Sequence, residues 1–372
     1  MTHRRTTQVT PASEGPGHTT RTSSPRDSAD PSSLSAPRAV PSAAPGLPQV
    51  SEGRSAEVQR LVIDWFSRNA RPLPWRDRDA SAWSILVCEV MSQQTPVARV
   101  LPRWREWMRR WPTPADLAAA PASDVLIAWD SLGYPRRALR LQETAAAIAD
   151  RHGNEVPHDE DRLLALPGVG AYTAAAVTSF AYGRRAVVLD VNVRRVLGRV
   201  FAAVEHRPAS LTAAEKRWAR ALVPAQDHVE WNAGTMELGA LVCTARNPDC
   251  ARCPLLDACA WVAAGKPSDP TVVRRAQAWA GTDRQLRGAI MRTLRTAHAE
   301  DAAAVPTHLL TAATAALTAD DAEALAAYPS PLRTAIGAVR DLDADGARTA
   351  RLVDDLVRDG LAARDDRGIR LP

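Results

Sequence analysis

Between Glu57 and about Gly265 the apolar residues recur every three or four positions, the spacing of amphipathic helices. The pattern repeats in many short segments, among them VQRLVIDWFSR, AWSILVCEVMSQQ and VNVRRVLGRVFA, whereas the alternation typical of strands is scarce. Prolines fall between these segments and suit helix boundaries: Pro112, Pro114, Pro121, Pro135 and Pro157. We therefore predict an all-α domain of many short helices over residues 53–265.

The flanking segments differ from this domain in composition. Residues 1–52 are rich in Pro, Ser, Thr and Ala without periodic apolar spacing, so we expect a disordered N-terminal tail. Residues 266–282 predict a linker, and residues 283–372 predict several alanine-rich helices that end in GLAARDDRGIRLP. Because that ending is typical of a two-stranded wing after a helix, we interpret residues 283–372 as a small winged-helix-like domain.

Composition narrows the class of protein. A chain of 372 residues with 45% hydrophobic content can build the cores of two or three domains. No apolar run is long enough to span a membrane, and the N-terminus lacks the apolar block of a secretory signal, so we expect a cytoplasmic protein. The formal net charge of +5 favours a polyanionic partner only weakly. Lysine occurs only twice, at Lys216 and Lys266.

A glycine-rich turn, Leu166–Gly170, separates the helical segments DEDRLLAL and AYTAAAVTSFAYG. Pro167 favours the turn, Gly168 and Gly170 permit it, and Gly183 suits the end of the second helix. The unpaired N–H groups that open the second helix offer a site for an anion such as phosphate. Taken alone, the pattern predicts only a tight turn between two helices.

Four cysteines lie within seventeen residues in the pattern Cys-x6-Cys-x2-Cys-x5-Cys: Cys243, Cys250, Cys253 and Cys259. Four thiols this close predict a ligand set, because disulfides are reduced in a cytoplasm. The group that these thiols bind is either a zinc ion or a [4Fe–4S] cluster, and the spacing alone does not distinguish the two. The remaining cysteine, Cys88, lies in an apolar segment and is predicted to be a core residue.

Two carboxylates lie in apolar surroundings. Glu89 interrupts the segment WSILVCEVM, where burial would raise its pKa and suit it to act as a general acid. A buried salt bridge to one of the many arginines explains Glu89 equally well. Asp190 follows Gly170 by twenty positions and is a candidate catalytic carboxylate.

Five segments, in this order, resemble the helix-hairpin-helix DNA glycosylases with a C-terminal iron–sulfur loop: WSILVCEVMSQQTPVARVLPRW, DSLGYPRRALRL, LLALPGVGAYTAAAVTSFAYG, VVLDVNVRRVLGRV and MELGALVCTARNPDCARCPLLDAC. The resemblance covers about residues 57–265 and is closest to adenine DNA glycosylases of the MutY type. It implies a two-lobed all-α fold with a cleft between the lobes and a [4Fe–4S] cluster on the four cysteines. It also implies a monomer in the cytoplasm, associated with the nucleoid, that excises adenine opposite 8-oxoguanine or guanine in double-stranded DNA.

The resemblance also implies roles for individual residues. Glu89 would protonate the departing purine near N7, and Asp190 would stabilise the sugar cation, as in glycoside hydrolysis. Asn192 and Tyr172 would hold these groups or the flipped nucleotide. Tyr172 stands where bifunctional relatives such as endonuclease III carry a lysine, so the resemblance implies a monofunctional enzyme that leaves an abasic site. The predicted DNA contacts are Gln93, Gln94, Tyr134, Gly168, Gly170 and Arg246. A plain polar helix end explains Gln93 and Gln94 equally well, and a solvated loop arginine is the commoner case for Arg246.

Two departures and two alternatives accompany this hypothesis. Residues 266–372 do not resemble the Nudix-like domain of the best-known members, and the GLGYY element is here Leu132–Pro135 with a single tyrosine. A thymine or uracil mismatch glycosylase of the same superfamily is one alternative, although VMSQQTPVARV favours the adenine enzyme. A non-catalytic iron–sulfur DNA-binding or redox-sensing protein is the other, and the presence of both Glu89 and Asp190 argues against it.

Overall fold

The computed structural model describes residues 46–268, 279–311, 317–342 and 344–372. Most of the predicted N-terminal tail, residues 1–45, and the central part of the predicted linker, residues 269–278, lie outside the described residues. In the described part of the chain no helix is both long and apolar enough to span a bilayer. The first helix begins at Glu52, where the Ser51 hydroxyl accepts a hydrogen bond from the Arg54 amide at 3.4 Å.

The part of the chain before the linker is helical throughout, which confirms the all-α prediction. Its helices are α1 Glu52–Asn69, α2 Ala82–Ser92, α3 Val97–Arg110, α4 Pro114–Ala119, α5 Ala122–Trp129, α6 Arg136–Arg151, α7 Glu160–Leu164, α8 Ala171–Phe180, α9 Val191–Ala202, α10 Ala213–Ala221, α11 His228–Leu241 and α12 Ala260–Ala263. Predicted boundaries hold at several prolines, since Pro114 opens α4 and Pro121 and Pro135 cap α5 and α6.

These helices bury their apolar faces in two separate cores. Helices α2 to α8 share one core, which includes the fully buried Leu86, Trp107 and Ile148, and we call this part the hairpin lobe. Helix α1 packs instead with α9 to α12 around Val62 and Leu238, and we call this part the cluster lobe. From Glu52 onward the chain therefore passes through the cluster lobe, forms the hairpin lobe and returns to the cluster lobe, which gives the two-lobed architecture that was expected.

The C-terminal residues form a smaller helical unit. It contains α13 Asp283–Ala299, α14 Thr307–Thr311, α15 Ala319–Ala327, α16 Ser330–Arg340, α17 Gly346–Arg358, and the strands β1 Ala363–Asp365 and β2 Gly368–Arg370. The strands pair antiparallel with Ala363 opposite Arg370, so the predicted two-stranded hairpin after a helix is confirmed. The apolar core of this unit is continuous with that of the hairpin lobe. This contact places α13 beside the loop that precedes α6.

Candidate active site and iron–sulfur loop

The predicted glycine turn joins α7 to α8 in the hairpin lobe. Asp159 caps α7 by accepting from the Arg162 amide at 3.1 Å, and Gly183 has a φ of +59° just beyond α8. The two glycines of the turn differ in what they require. Gly168 has a φ of +77°, which favours glycine, whereas Gly170 is the N-cap of α8 with a φ of −95° that any residue adopts.

This difference predicts distinct effects of Gly168→Ala and Gly170→Ala. A Cβ on Gly168 would lie 2.2 Å from Cγ of Arg140, whereas a Cβ on Gly170 would meet no atom within 4 Å. Because alanine resists positive φ, we expect Gly168→Ala to lower the free energy of unfolding by about 1–2 kcal/mol. Urea denaturation measures this loss, and Gly170→Ala, the matched control, should stay within about 0.5 kcal/mol of the parent protein. Equal losses in the two variants would contradict this account of the turn.

The hairpin brings Tyr172, the second residue of α8, against Glu89 in α2. The Tyr172 hydroxyl donates a hydrogen bond to Oε2 of Glu89 at 2.9 Å, and Glu89 is only 8% exposed. Burial raises the pKa of Glu89 to about 7, the Tyr172 hydrogen bond opposes this, and nearby Asp190 raises it further. The arginine whose charge acts on Glu89 is Arg76, which is itself paired with Glu237 at 3.0 Å. The geometry therefore favours a carboxyl group whose pKa lies near neutral pH over the alternative of a Glu89 carboxylate held in a buried salt bridge.

Asp190 lies at the N-terminus of α9 in a different environment. One carboxylate oxygen accepts from the Val193 amide at 2.6 Å, and the other accepts from Nδ2 of Asn192 at 2.7 Å. Burial raises the pKa of Asp190, while these hydrogen bonds oppose the increase. The N-terminus of α9, a twelve-residue helix, also stabilises a negative charge because the helix dipole is positive there. The two acids therefore lie in one site. More hydrogen-bond donors stabilise the ionised form of Asp190 than that of Glu89.

A buried arginine of α9, Arg195, connects this site to the cysteine loop. Its guanidinium donates to Oδ1 of Asn192, to the carbonyl of Gly239 and to the carbonyl of Cys243, each at 2.7 Å. Gly239 of α11 allows this approach, because a Cβ there would lie 2.7 Å from Cβ of Asn192. The sequence analysis missed Arg195 and Gly239. A signal was present, since Arg195 and Arg199 lie four residues apart on the apolar face of α9.

We expect Arg195→Lys to weaken the site and the cysteine loop together. Lysine keeps the charge but cannot reproduce three directed hydrogen bonds in one plane. Loss of such support around a ligand set typically costs about 10–100-fold in activity or metal affinity. Catalytic activity and metal content measured on the same preparation test the expectation. Normal values for both would show that these hydrogen bonds do not support Asn192 or the loop.

The four cysteines converge on one small apolar pocket between α9, α11 and α12. Burial raises the pKa of Cys253 to about 12, and the neighbouring thiolates add to this, so the Cys253 sulfur needs a cationic group beside it to ionise. All four cysteines line this pocket together. Arg199 lies behind them, with Nη1 3.4 Å from Sγ of Cys243. This set fits an iron–sulfur cluster, in which iron would neutralise the thiolates.

The predicted DNA-contacting residues lie in three places. Gln93, the C-cap of α2, has Nε2 3.5 Å from Oγ1 of Thr173 beside the hairpin, whereas Gln94 is exposed with a φ of +55°. Tyr134 is 43% exposed and lies in the loop before α6. Arg246 is exposed in the cysteine loop, apart from the other contacts.

The sequence analysis also missed Arg137, which joins the end of α2 to the Tyr134 loop. Its guanidinium donates to the carbonyls of Gln93 at 2.6 Å and Gly133 at 3.0 Å, and it lies over the ring of Tyr134 at 5.7 Å. Burial lowers the pKa of Arg137 to about 10. An arginine in RRALRL reads as a surface residue, so nothing in the sequence distinguished it.

One lysine lies closer to Tyr172 than the sequence suggested. Neither lysine lies in the hairpin, as predicted, but Lys216 of α10 lines a cleft of about 220 Å³ together with Tyr172, Arg217 and Arg220. Tyr172 and Lys216 are 44 residues apart in the sequence, and only the packing of the two lobes brings them to one cleft. Three cations and one carboxylate, Glu160, line this cleft, and Tyr172 links it to Glu89.

Comparisons with known proteins agree with this architecture. Residues 87–220 match the HhH-GPD superfamily base excision DNA repair protein, and residues 243–259 match the iron-sulfur binding domain of endonuclease III. An adenine DNA glycosylase of Mycobacterium tuberculosis is 50% identical over 237 residues, which cover 63% of this chain and 78% of that protein. The human adenine DNA glycosylase is 40% identical over 208 residues, covering 53% of this chain and 38% of that protein.

Two solved structures share the fold. A thermostable thymine-DNA glycosylase aligns with a TM-score of 0.52 and 26% identity, covering 57% of this chain and 98% of that one. A trapped endonuclease III–DNA covalent intermediate aligns with a TM-score of 0.52 and 25% identity, covering 59% and 100%. The match over the cysteines identifies the cofactor as a [4Fe–4S] cluster. The chain belongs to the adenine DNA glycosylases, the base-excision repair enzymes that remove adenine from DNA.

Proposed function

We propose that this enzyme removes adenine paired with 8-oxoguanine or guanine, by hydrolysis alone, and leaves an abasic site. The observation that carries the proposal is the buried Tyr172–Glu89 hydrogen bond beside Asp190, in a hairpin that contains no lysine. We also propose that the enzyme acts as a monomer on nucleoid DNA in the cytoplasm. Adenine inside a duplex is stacked, so it must leave the helix to reach these groups, and a mispaired base costs less to extrude.

Glu89 is the proposed general acid. Its pKa of about 7 leaves a substantial protonated fraction at neutral pH, which is the state that can donate a proton to N7 of adenine. Protonation turns adenine into a neutral leaving group, so the glycosidic bond breaks more easily. Tyr172 holds the carboxyl group through its hydroxyl and keeps it aimed into the site.

Asp190 is the proposed stabiliser of the sugar. Departure of the base leaves an oxocarbenium-like sugar whose positive charge a nearby carboxylate stabilises, directly or by transient covalent capture before water attacks. Asn192 and the Val193 amide hold both oxygens of Asp190, so the anion is already oriented before the bond breaks. Arg195 in turn fixes the Asn192 amide and so acts as a positioning residue.

Gln94 and Tyr134 are the proposed contacts to the duplex around the mispair, and the turn at Gly168 and Gly170 is the proposed phosphate contact. Gln94 and Tyr134 are exposed, and Arg137 holds the backbone next to each of them. An aromatic ring and an amide at such positions suit insertion beside a lesion and contact with base edges. Arg246 is a proposed phosphate contact of the cysteine loop.

A panel of four duplexes tests the function. The purified enzyme is given A opposite 8-oxoguanine, A opposite guanine, T opposite guanine and U opposite guanine, and alkali is added afterwards to reveal abasic sites. We expect excision in both adenine duplexes and none in the other two. Excision of thymine or uracil in preference to adenine, or no excision in either adenine duplex, would contradict the proposal.

Hydrolysis without strand cleavage is a separate prediction. Strand cleavage by β-elimination begins with an amine that forms an imine at C1′, and Tyr172 supplies none. Because Lys216 lines the adjacent cleft, the test compares the parent protein with Lys216→Ala under borohydride. We expect no trapped adduct and no alkali-independent nicking in either protein. An adduct in the parent that disappears in Lys216→Ala would show that Lys216 supplies the amine.

A further inference from the structure

A groove of about 1050 Å³ separates the loop before α6 from α13 of the C-terminal unit. Gln94, Tyr134 and Arg136 line one wall, and Trp279 with the arginines of α13 lines the other. We call this the interdomain groove. It is distinct from the cleft beside Tyr172, which is lined by α10.

The wall that α13 provides is strongly basic. Arg284, Arg287, Arg292 and Arg295 all line the groove. Arg287 pairs with Asp359 at 2.7 Å. In contrast, Arg284, Arg292 and Arg295 form no salt bridge with any carboxylate of the described residues, and Arg284 and Arg292 are exposed. Asp130 also lines the groove, but it is paired with Arg103 at 2.6 Å, so arginines outnumber carboxylates along the groove and attract a polyanion.

Aromatic rings accompany these charges. The Arg284 guanidinium lies 4.8 Å from the ring centre of Tyr134 and 5.4 Å from that of Trp279, so one cation lies between two rings from different domains. The rings are 43% and 54% exposed. Exposed aromatic and guanidinium groups that alternate in this way are typical of surfaces that contact nucleic acid.

The interdomain groove lies next to the active site. Gln93 contacts Thr173 beside Tyr172, and its neighbour Gln94 lines the groove. Residues 93–94 thus separate the site for the flipped adenine from the groove. Gln94, Asp130 and Tyr134 all adopt positive φ at this edge, and such strain is maintained most often where function requires it.

We propose that the interdomain groove binds the sugar–phosphate backbone of the DNA strand that carries the base opposite the adenine. Arg284 and Arg292 contact phosphates, and Trp279 and Tyr134 contact the sugar or base faces near the mispair. The C-terminal unit then contributes one wall of the surface that binds the DNA. This inference rests on the proposed function, because it assigns the partner strand of the same substrate.

Neutral phosphates placed in one strand at a time test this assignment. Duplexes carry a non-hydrolysable adenosine analogue opposite 8-oxoguanine, with methylphosphonates flanking either the 8-oxoguanine or the analogue. Binding is measured by fluorescence anisotropy across a salt series for the parent, Arg284→Ala/Arg292→Ala and the double lysine variant. Arg60→Ala, an exposed arginine of α1 in the cluster lobe, is the matched control.

We expect neutral phosphates in either strand to weaken binding by the parent protein. The double alanine variant should lose its response to neutral phosphates only in the 8-oxoguanine strand, and its salt slope should fall by about 2. The double lysine variant should recover most of the response to neutral phosphates and most of the salt slope. Arg60→Ala should match the parent in both measurements. A double alanine variant that still responds to neutral phosphates in the 8-oxoguanine strand as the parent does would overturn the inference.

The same proteins are also tested for excision on A opposite 8-oxoguanine. If the parent fails to excise adenine there, the proposed function is wrong. If the parent excises it and the variants still respond to both strands as the parent does, only the assignment of the groove is wrong.

Discussion

Glu89→Gln is expected to reduce single-turnover excision of adenine by about 10²–10⁴-fold, the range for loss of a general acid. Glutamine has nearly the same shape as glutamate and can still accept from the Tyr172 hydroxyl, but it has no acidic proton to give to the purine. Binding of the mispaired duplex should change little, because Glu89 is only 8% exposed and glutamine keeps its shape. Rapid-quench kinetics with enzyme in excess separate the two effects.

The pH profile identifies the group. Burial raises the pKa of Glu89 to about 7, so its protonated form predominates below pH 7 and is lost as the pH rises through 7. We expect excision by the parent enzyme to fall with that titration and the small residual rate of Glu89→Gln to lose this step. An unchanged high-pH step in Glu89→Gln would assign it to another group.

Asp190→Asn is the matched variant for the second acid. Asparagine caps helices as well as aspartate does, so α9 should remain intact while the negative charge is lost. We expect an excision loss of about 10²–10³-fold with the helical circular dichroism retained, because the cap on Val193 survives while the hydrogen bond from Asn192 is lost. Full activity in Asp190→Asn would remove the carboxylate from the mechanism and revive a non-catalytic interpretation of this site.

Glu237→Ala is expected to lower the free energy of unfolding by about 3–5 kcal/mol, the largest stability effect that we predict. Glu237 of α11 is 1% exposed and accepts from Arg71 at 2.6 Å and from Arg76 at 3.0 Å. Its removal leaves two guanidinium groups without their anion next to a cavity. These arginines lie in the segment between α1 and α2, so their salt bridges to Glu237 attach that segment to the cluster lobe.

Acid titration gives an independent readout of the Glu237 network. Its two arginine partners overcome the effect of burial and lower the pKa of Glu237 from 4.5 to about 2. The stabilisation is present above pH 4.5 and is lost as the pH falls toward 2, a difference of about 3 kcal/mol for this side chain. Urea denaturation at pH 7 and pH 3 should show a smaller acid loss in Glu237→Gln than in the parent. An equal acid loss in both proteins would show that Glu237 does not govern it.

Helix positions, the glycine turn, the wing and the cysteine ligand set were predictable because each depends on residues close together in the sequence. A helix repeats every 3.6 residues, so an apolar stripe indicates it before any partner is known. Glu89 and Asp190 were found for a similar reason, since an acid inside an apolar run is costly and therefore conspicuous. The cofactor itself followed from the resemblance, not from the cysteine spacing.

Contacts between distant residues were not predictable. Tyr172 and Glu89 are 83 residues apart in the chain, and Arg71 and Glu237 are 166 apart. Glu237, Arg137 and Lys216 read as ordinary surface residues because a charged side chain carries no sign of the partner that will bury it. The requirement for glycine at Gly168 but not at Gly170 likewise depends on backbone angles and on Arg140, which the spacing does not encode.

The sequence by itself determined which helices form, where the hairpin turns and which four thiols come together, because local periodicity and spacing encode them. Only the tertiary structure decided which ionisable side chains lose their charge, which form salt bridges and which face solvent. Burial makes Glu89 a near-neutral acid, pairing holds Glu237 ionised, and the packing of α13 against the hairpin lobe leaves Arg284 and Arg292 facing an open groove. Each of these outcomes depends on the solvent and charges that distant segments bring together, and no local pattern records that environment.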